Sequence, residues 1–513
     1  MRHDGSKTHA SATDLRRDGG EPTARQSNVA GSGVSDGDEP PPHPTIPTTI
    51  SAPIRRIRWR LYSAPMLNPA TAERAHDERV ASIAATVREL AASRAPVYIE
   101  KGGVHHVVPV PGDRRFSGKR IDISTLTNVL WVDAERRLCA AEPGVTFARI
   151  LEHTLPLGLI PTVVPELEGI TLGGAVAGCS IESMSHRYGG FHDGAVEYEV
   201  ITGRGEVRRL TPDDGLAFHM LHGSYGTLAT LTKLVFKLVP AKPYVRMEYV
   251  TYRDVDSYLA AMRDASAHGQ DFIDGIIHDP TTLVLCLGTF VDQAPYVSDY
   301  TREKMFWTST RERREDYLTT RDYVFRYDTE CHWLTRTIPP LTWPLVRRAV
   351  GRWFLGSTNL ITWSGRLERL LAATKKRPDV VVDVFIPSTQ MAPFFDWYAR
   401  EYRFWPMWVV PYAVPECYPW VNRAHWDKHG GDSLMIDCAV YGKKNGDPHV
   451  DWSQVLEEAT YQHHGLKTLI SRNHYDRERF WSIYDQEAWR VAKAILDPDG
   501  LLPELYEKVH RVK

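Results

Sequence analysis

The sequence lacks several features that would indicate a function class at once. Its six cysteines, scattered over 513 residues, include no C-x-x-C pair. We therefore expect reduced thiols, with neither a disulfide framework nor a metal site. No run of about eighteen apolar residues is present, so no membrane span is predicted. The formal net charge of -2 provides no bulk attraction for nucleic acid, and no nucleic-acid partner is expected.

The composition is that of a globular protein, with 42% hydrophobic and 25% charged residues. Residues 1–53 differ, being rich in Gly, Ser, Pro, Asp and Arg and poor in large apolar side chains. Such a segment cannot offset its ordering entropy by burial, so it is predicted to be a disordered tail. It also lacks the apolar stretch of a signal peptide. We therefore expect a cytoplasmic protein.

Short helical and strand patterns alternate along the rest of the chain. Residues 72–92 carry apolar side chains at helical spacing, and residues 195–210 indicate two strands around a Gly-Arg-Gly turn. These patterns predict an α+β fold, with a first domain over 54–240 and a second over 241–513. The aromatic run at 402–415 is interpreted as core, and a wide apolar pocket is the alternative.

Two pairs of glycines stand out in the first domain. Gly102-Gly103 and Gly173-Gly174 lie about seventy residues apart, and we interpret both pairs as loops whose backbone N–H groups could approach a pyrophosphate. Neither has the spacing of a Rossmann turn or a P-loop. Simple tight turns are the alternative for each.

A longer pattern resembles a known family. The order "KGGVHH", "IDIS", "PELEGITLGGAVAGCSIESMSHRYG", "EVITGRGEV", "GSYGTLATLTKLVFKLVPAKPYV" is similar to the PCMH-type FAD-binding domain of the vanillyl-alcohol oxidase superfamily. Together with "NHYDRERFWSIYD", it resembles the Δ24-sterol reductase (seladin/Diminuto) branch most. The resemblance runs from about Val97 to the end. It implies a two-part FAD-binding domain followed by an α+β substrate or cap domain, whose C-terminal segment closes on the flavin.

The resemblance also implies a set of FAD-binding residues. His105 falls where some superfamily members attach FAD covalently, but Val104 replaces a family glycine, so we expect non-covalent FAD. The implied cofactor-binding residues are Lys101, Gly102, Gly103, His105, Thr171, Gly173, Gly174, Gly178, Ser180, Glu182, Ser183, His186, Tyr188, Gly189 and Ile201, the last of these near the adenine.

The reaction implied is reduction of an isolated carbon–carbon double bond in a lipid, by an FAD-dependent oxidoreductase acting on CH–CH groups with NADPH as reductant. Such a reaction needs a proton donor in a dry apolar pocket. The candidate catalytic residues are His474, Tyr475, Glu182 and His186. For each, a structural role is the alternative. Arg326 is interpreted as an ion-pair partner rather than a ligand of the NADPH phosphate.

The substrate divides into two related expectations. The resemblance extends to bacterial methylene-fatty-acyl reductases, so the first is the exocyclic methylene of a phospholipid-bound 10-methylene acyl chain, reduced to a 10-methyl branch. The second is a sterol Δ24 bond. A flavin oxidase or dehydrogenase of an alcohol or sugar is the alternative from another class. A methyltransferase or an electron-transfer protein could be a partner. Residues 54–65, basic and aromatic, could contact the inner face of the cell membrane, or they could form a strand.

Overall fold

Sixteen strands within the described residues form three sheets. In a computed structural model of the chain, the described residues are 68–102, 118–302, 304–333, 336, 339–359 and 378–511. The predicted tail at 1–53, the segment 54–65, and Gly103 and His105 lie outside them. The strands are β1 Val97–Glu100, β2 Lys119–Asp122, β3 Val129–Asp133, β4 Leu138–Ala141, β5 Leu159–Pro161, β6 Ala195–Ile201, β7 Val207–Leu210, β8 Thr230–Pro240, β9 Tyr244–Tyr252, β10 Phe272–Asp279, β11 Thr282–Val291, β12 Glu315–Thr319, β13 Val380–Pro387, β14 Met407–Ala413, β15 Leu434–Lys443 and β16 Leu466–Lys467.

The two large sheets are antiparallel throughout. The first sheet has the order β3-β4-β8-β6-β7, and β5 also pairs with β8; the second sheet has the order β12-β9-β11-β10-β14-β15-β13-β16. Strands β1 and β2 form a separate parallel pair. Helices and antiparallel sheets together confirm the predicted α+β class. The predicted division at residue 240 stays a prediction.

Helices within the same ranges cover and connect these sheets. They are α1 Pro69–Ser93, α2 Phe147–Thr154, α3 Leu172–Ala177, α4 Ser185–Tyr188, α5 Leu216–His219, α6 Val255–Ala267, α7 Phe306–Ser309, α8 Thr320–Val324, α9 Pro344–Leu355, α10 Met391–Trp397, α11 Arg423–Trp426, α12 Trp452–Gln462, α13 Arg477–Ile483, α14 Gln486–Leu496 and α15 Leu505–Val509. No helix in these ranges is both long and apolar enough to cross a membrane.

Local sequence signals explain the first helix. The side chain of Asn68 accepts a hydrogen bond from the N–H of Ala70, and Pro69 occupies the first turn, where its missing N–H costs nothing. The helix ends at Ser93, and Arg94 follows in the left-handed conformation. Its buried face includes Val80, Ile83, Ala84, Val87 and Leu90, as the spacing predicts.

The aromatic run at 402–415 belongs largely to the core. It contains β14, in which Met407, Trp408, Val409 and Val410 are fully or almost fully buried. The second sheet surrounds this strand, with β10 on one side and β15 on the other. The core interpretation of the run is therefore confirmed.

One prediction about the glycine pairs is wrong. Gly173 and Gly174 lie in the first turn of α3 and not in a loop. Two glycines disfavour a helix locally, but Leu172, Ala175 and Val176 are buried and anchor this turn by tertiary packing. An added Cβ at Gly173 would lie only 2.6 Å from Cβ of Pro143, so close packing requires glycine there.

A buried ion cluster joins α1 to the first sheet and leads to a stability prediction. The ring of His76 lies between Glu142, at 2.8 Å, and Glu199, at 2.9 Å. Burial alone would lower the pKa of His76, but the hydrogen bonds to the two carboxylates outweigh it and raise the pKa above its ordinary value. The imidazolium therefore stabilises the fold fully below the unfolded-state pKa, and the effect is lost as the pH rises through the folded-state value.

We expect His76→Gln to lose about 1.5–3 kcal/mol of unfolding free energy at pH 6, because hydrogen bonds to charged groups contribute that much. The loss of unfolding free energy relative to the unsubstituted protein should shrink as the pH rises through the folded-state pKa of His76. Urea unfolding at a series of pH values measures it. A deficit that stays constant with pH would contradict a charged His76.

Candidate active site

Three distant segments meet beside the start of α3. The amino group of Lys101, just after β1, lies 3.6 Å from the position that a Cβ of Gly174 would occupy. In the turn Gly223–Gly226, the N–H of Tyr225 donates to the carbonyl of Ala177 at 3.1 Å. The same turn approaches Ile99 of β1, whose Cδ1 is 3.1 Å from the Cβ position of Gly226. The predicted residues Lys101, Thr171, Gly173 and Gly174 are thus brought together.

Lys101 provides a positive charge at this meeting point. Its side chain is half-buried, and no carboxylate within the described ranges contacts its amino group. Burial accordingly lowers the pKa of Lys101 below its ordinary value. A partly buried cation with no carboxylate partner among the described residues is costly, so the site fits an anionic group such as a pyrophosphate. Gly102 lies next to it, against Ser124.

The segment after α3 forms a tight, largely buried path. Gly178 and Ser180 close the helix end, with N–H bonds to the carbonyls of Gly174 and Ala175, both at 2.9 Å. Gly189 has a φ of +73°, and its Cβ position lies 2.3 Å from Asp193 Oδ2, so no other residue fits there without movement.

Glu182 of this segment is fixed by a buried ion network. Arg326 Nη2 lies 2.8 Å from Glu182 Oε1 and 2.8 Å from Asp274 Oδ2, and all three side chains are almost fully buried. Burial raises the pKa of Glu182 to about 7, against the opposing effect of Arg326. The N–H and the hydroxyl of Ser183 both donate hydrogen bonds to Glu182. Ser183 Oγ accepts a hydrogen bond from the hydroxyl of Tyr323. The interpretation of Arg326 as an ion-pair partner agrees with this geometry.

His186, Tyr188 and Ile201 occupy different surroundings. The ring nitrogens of His186 lie 3.0 Å and 2.8 Å from the carbonyl oxygens of Ser183 and Gln270, so both already face backbone acceptors. Burial lowers the pKa of His186. Tyr188, the last residue of α4, is half-buried. Ile201, at the end of β6, is fully buried in the core between α1 and β2. The roles predicted for these three residues stay predictions.

A mostly apolar cleft opens beside Gly178 and Cys179. The space between atoms in this cleft amounts to about 530 Å³, a volume that includes open solvent. Glycine-rich segments form one side, and strands and helices from the end of the chain form the other. Its lining residues are Gly178, Cys179, Met220, Gly223, Tyr225, Phe385, Trp420, Leu466, Lys467, Thr468, Leu469, Trp481, Tyr484, Asp485, Trp489 and Leu505.

The C-terminal motif contributes to this cleft, but not through the two residues proposed as acids. Trp481, Tyr484 and Asp485 line it. The hydroxyl of Tyr475 is buried and donates to the carbonyl of Glu457 at 2.9 Å. Burial lowers the pKa of the His474 ring to about 3, and its Nε2 is buried with no hydrogen-bond partner in the described part of the chain. Their catalytic role stays a prediction.

Comparison with known proteins identifies the cofactor. A sequence profile described as an FAD binding domain matches residues 77–211, which include Lys101 and the whole segment from Thr171 to Ile201. The chain contains an FAD binding domain. Over 480 residues it is 25% identical to Delta(24)-sterol reductase of Homo sapiens, covering 88% of each protein. It is 23% identical over 427 residues to the Arabidopsis thaliana Delta(24)-sterol reductase, covering 76% of each.

A similarity over a shorter stretch is to a dehydrogenase. Cytokinin dehydrogenase 6 of Oryza sativa subsp. japonica is 28% identical over 289 residues, covering 54% of this chain and 48% of that protein. The predicted resemblance to an FAD-binding family with a Δ24-sterol reductase branch is confirmed. Together these similarities support an FAD-dependent oxidoreductase.

The FAD binding domain has the features that FAD requires. Lys101, Thr171 and Gly174 would hold the pyrophosphate, since they bring a cation, for which the described residues offer no carboxylate, next to a backbone that carries no side chain. The cleft beside Gly178 begins at the end of the same helix. Trp420 lines this cleft, and its indole N–H is buried without a partner among the described residues, so a hydrogen-bond donor is left for a ligand.

Sequence reasoning missed several residues of the site. Tyr225 was quoted within "GSYG" but not singled out, although the two glycines around it indicate a turn. Lys467 lines the cleft and is paired with the buried carboxylate of Glu457. No local pattern predicts this pair, because Glu457 is on α12 and Lys467 on β16, and only the folded chain brings them together.

Proposed function

We propose that this protein is an FAD-dependent reductase of an isolated carbon–carbon double bond in a lipid. The observation that carries this proposal is the lining of the cleft beside the flavin segment. Phe385, Leu466, Leu469, Trp481 and Trp489 offer apolar and aromatic surface. An apolar cleft favours a hydrocarbon chain or a sterol over a sugar or another polyhydroxylated substrate.

When bound, reduced FAD supplies a hydride. The protein's own residues exclude water from the reacting atoms, orient the double bond and deliver a proton. Aromatic side chains in the walls of the cleft can exclude water and orient the double bond, because they are rigid and apolar. NADPH is the proposed electron donor, with an electron-transfer protein as the alternative source.

Two lipid substrates follow from the proposal. The sterol Δ24 bond is favoured by the similarity to Delta(24)-sterol reductases along most of the chain. The 10-methylene acyl chain of a phospholipid presents the same chemistry, since each has an electron-rich alkene that becomes a saturated carbon with a methyl branch.

The proposed test follows the absorption band of the bound flavin under anaerobic conditions. We expect NADPH to bleach the flavin absorption band, and one of the two lipids to restore it in a single turnover with formation of the saturated product. A sterol with a Δ24 bond and a 10-methylene phospholipid are added in separate experiments, and their saturated counterparts serve as controls. Bleaching of the oxidised flavin by a primary alcohol or sugar, in the absence of NADPH, would show electron flow in the opposite direction and contradict a reductase.

A failure of NADPH alone has a separate meaning. If dithionite bleaches the band and a lipid then restores it, the reductase proposal holds and another protein supplies the electrons. If neither lipid reoxidises flavin that dithionite has reduced, the proposed reaction is wrong.

A further inference from the structure

An acidic side chain lies directly behind one wall of the cleft. Phe385 lines the cleft, and Asp383 is two residues earlier on β13, so both side chains point to the same face of the second sheet. Thr468, another lining residue, connects the two: its N–H donates to the carbonyl of Asp383 at 3.0 Å, and its hydroxyl lies 3.5 Å from Asp383 Oδ2. Asp383 is half-buried and not sealed in the core.

A tyrosine holds the carboxyl group of Asp383. The hydroxyl of Tyr441, on the neighbouring strand β15, donates to Asp383 Oδ1. Tyr441 is half-buried, and its ring packs against His332 with the ring centres 4.5 Å apart. His332 in turn lies 3.0 Å from Glu166. The pair Asp383–Tyr441 therefore has a fixed geometry, and Thr468 connects Asp383 to the cleft.

Among the described residues, acids surround Asp383 and no cation is ion-paired with it. Asp437 extends from the same face of the sheet, since it lies opposite Phe385 on β15. Its Oδ1 is buried without a hydrogen-bond partner in the described residues. Glu166 is the other facing charge, and its own partner is His332, while Arg326 is engaged by Glu182 and Asp274.

These surroundings favour the protonated form of both aspartates. Burial raises the pKa of Asp383 to about 7, against the opposing hydrogen bond from Tyr441, and Glu166 adds to the rise. Burial also raises the pKa of Asp437 well above its usual range, with further contributions from Asp383 and Glu166. A carboxylic acid whose pKa lies near neutrality, in contact with a lining residue of an apolar cleft, is suited to general acid catalysis.

We propose that Asp383 donates the proton to the double bond of the substrate, with Tyr441 as a positioning residue. This inference rests on the reductase function proposed above. In the reaction, the π bond breaks as one carbon takes the proton of Asp383 and the other takes a hydride from reduced FAD. Asp383 is left as a carboxylate and regains a proton from water, and NADPH or another two-electron donor restores the reduced flavin.

The test separates the two half-reactions of Asp383→Asn. We expect this variant to bind FAD and to be reduced at nearly the unsubstituted rate, because the substitution keeps the shape and the acceptor for Tyr441. Reoxidation of the reduced flavin by the lipid should fall about 100-fold or more, which is typical for the loss of a general acid. In the unsubstituted protein the reoxidation rate should fall as the pH rises above about 7, and the residual rate of the variant should lose this dependence.

Tyr441→Phe provides a second measurement, the pH dependence of flavin reoxidation. A purely structural role of Asp383 would leave this pH dependence unchanged. Removing its hydroxyl removes a hydrogen bond that lowers the pKa of Asp383. The pH at which the reoxidation rate falls should therefore shift upward, with a smaller loss of rate than for Asp383→Asn.

A matched control lies at the opposite edge of the same sheet. Asp316 on β12 is also a buried aspartate that accepts a tyrosine hydroxyl, from Tyr300, but it is ion-paired with Arg313 and far along the sheet from β13. Asp316→Asn should leave the reoxidation rate within about twofold. Equal slowing by both Asp→Asn variants would indicate a structural effect and overturn the proposal.

The remaining outcomes are also decisive. An unchanged rate and pH profile in Asp383→Asn, or a loss confined to His474→Gln or Tyr475→Phe, would overturn the assignment of Asp383 while the reductase function stands. Failure of unsubstituted reduced flavin to react with either lipid would overturn the function, and this assignment with it.

Discussion

Arg326→Met is expected to lose about 3–5 kcal/mol of unfolding free energy, the cost found when one partner of a buried ion pair is removed. The substitution retains most of the side-chain volume but leaves Glu182 and Asp274 buried without their cation. Trp408 and Tyr327 donate hydrogen bonds to Asp274, but neither brings a positive charge. Chemical denaturation at neutral pH measures the loss.

The control for this prediction is an exposed pair of the same type. Arg204 and Asp499 are joined at 2.6 Å, but more than half of each side chain is exposed. Arg204→Met should therefore leave the denaturation midpoint almost unchanged, because solvent screens an exposed ion pair. Equal losses of stability from the two substitutions would contradict the prediction that Arg326 matters because its ion pairs are buried.

The pH dependence of the Arg326→Met deficit provides a further check. Burial already raises the pKa of Glu182 to about 7 while Arg326 opposes the rise, so removing Arg326 should raise it further. The deficit should shrink as the pH falls, because protonated carboxyl groups need no cation. A deficit that grows toward acid pH would be inconsistent with this origin.

This network also connects the flavin segment to the second sheet. Glu182 follows α3, Arg326 follows α8, and Asp274 is on β10. The same arginine stacks on Tyr323 at 4.4 Å, and the hydroxyl of Tyr323 reaches Ser183. Losing Arg326 should therefore disturb the path along which the flavin is expected to lie, in addition to lowering stability.

Sequence patterns predicted the elements whose determinants are local. The helix at 72–92 and the strands around the Gly-Arg-Gly turn appear as α1, β6 and β7 because apolar spacing, a capping residue and turn glycines act within a few residues of one another. The FAD-binding segment was found through a resemblance, and glycine counting alone predicted loops where Gly173 and Gly174 begin a helix.

The cleft could not be predicted in this way because its two sides are far apart in the chain. Gly178 and Trp489 line the same space, and no short pattern relates them. One signal was present and not used. Asp383 and Asp437 each interrupt an apolar strand, in "VVVDVFIP" and "LMIDCAV". A single acid in the middle of a buried strand is costly, and such a violation of patterning is expected at functional sites.

Lys101→Met is expected to weaken FAD binding by roughly 10- to 100-fold, as the loss of one hydrogen bond to a charged group would. The side chain of Lys101 reaches the backbone of Gly174, where a pyrophosphate fits, and no carboxylate within the described ranges competes for it. Methionine keeps the length and apolar stem but removes the charge. Titration of the apoprotein with FAD, followed by flavin fluorescence, gives the two dissociation constants.

Two controls test whether the charge of Lys101 itself binds FAD: substitution of the neighbouring Lys119, and the salt dependence of the affinity. Lys119, at the start of the partner strand β2, is exposed, so Lys119→Met should change the dissociation constant less than about twofold. Screening weakens charge interactions, so added salt should reduce the affinity of the unsubstituted protein more than that of Lys101→Met. If the two lysine variants bind FAD equally well and respond equally to salt, then Lys101 does not contact the phosphates. The approach of β1 to α3 would in that case serve packing alone.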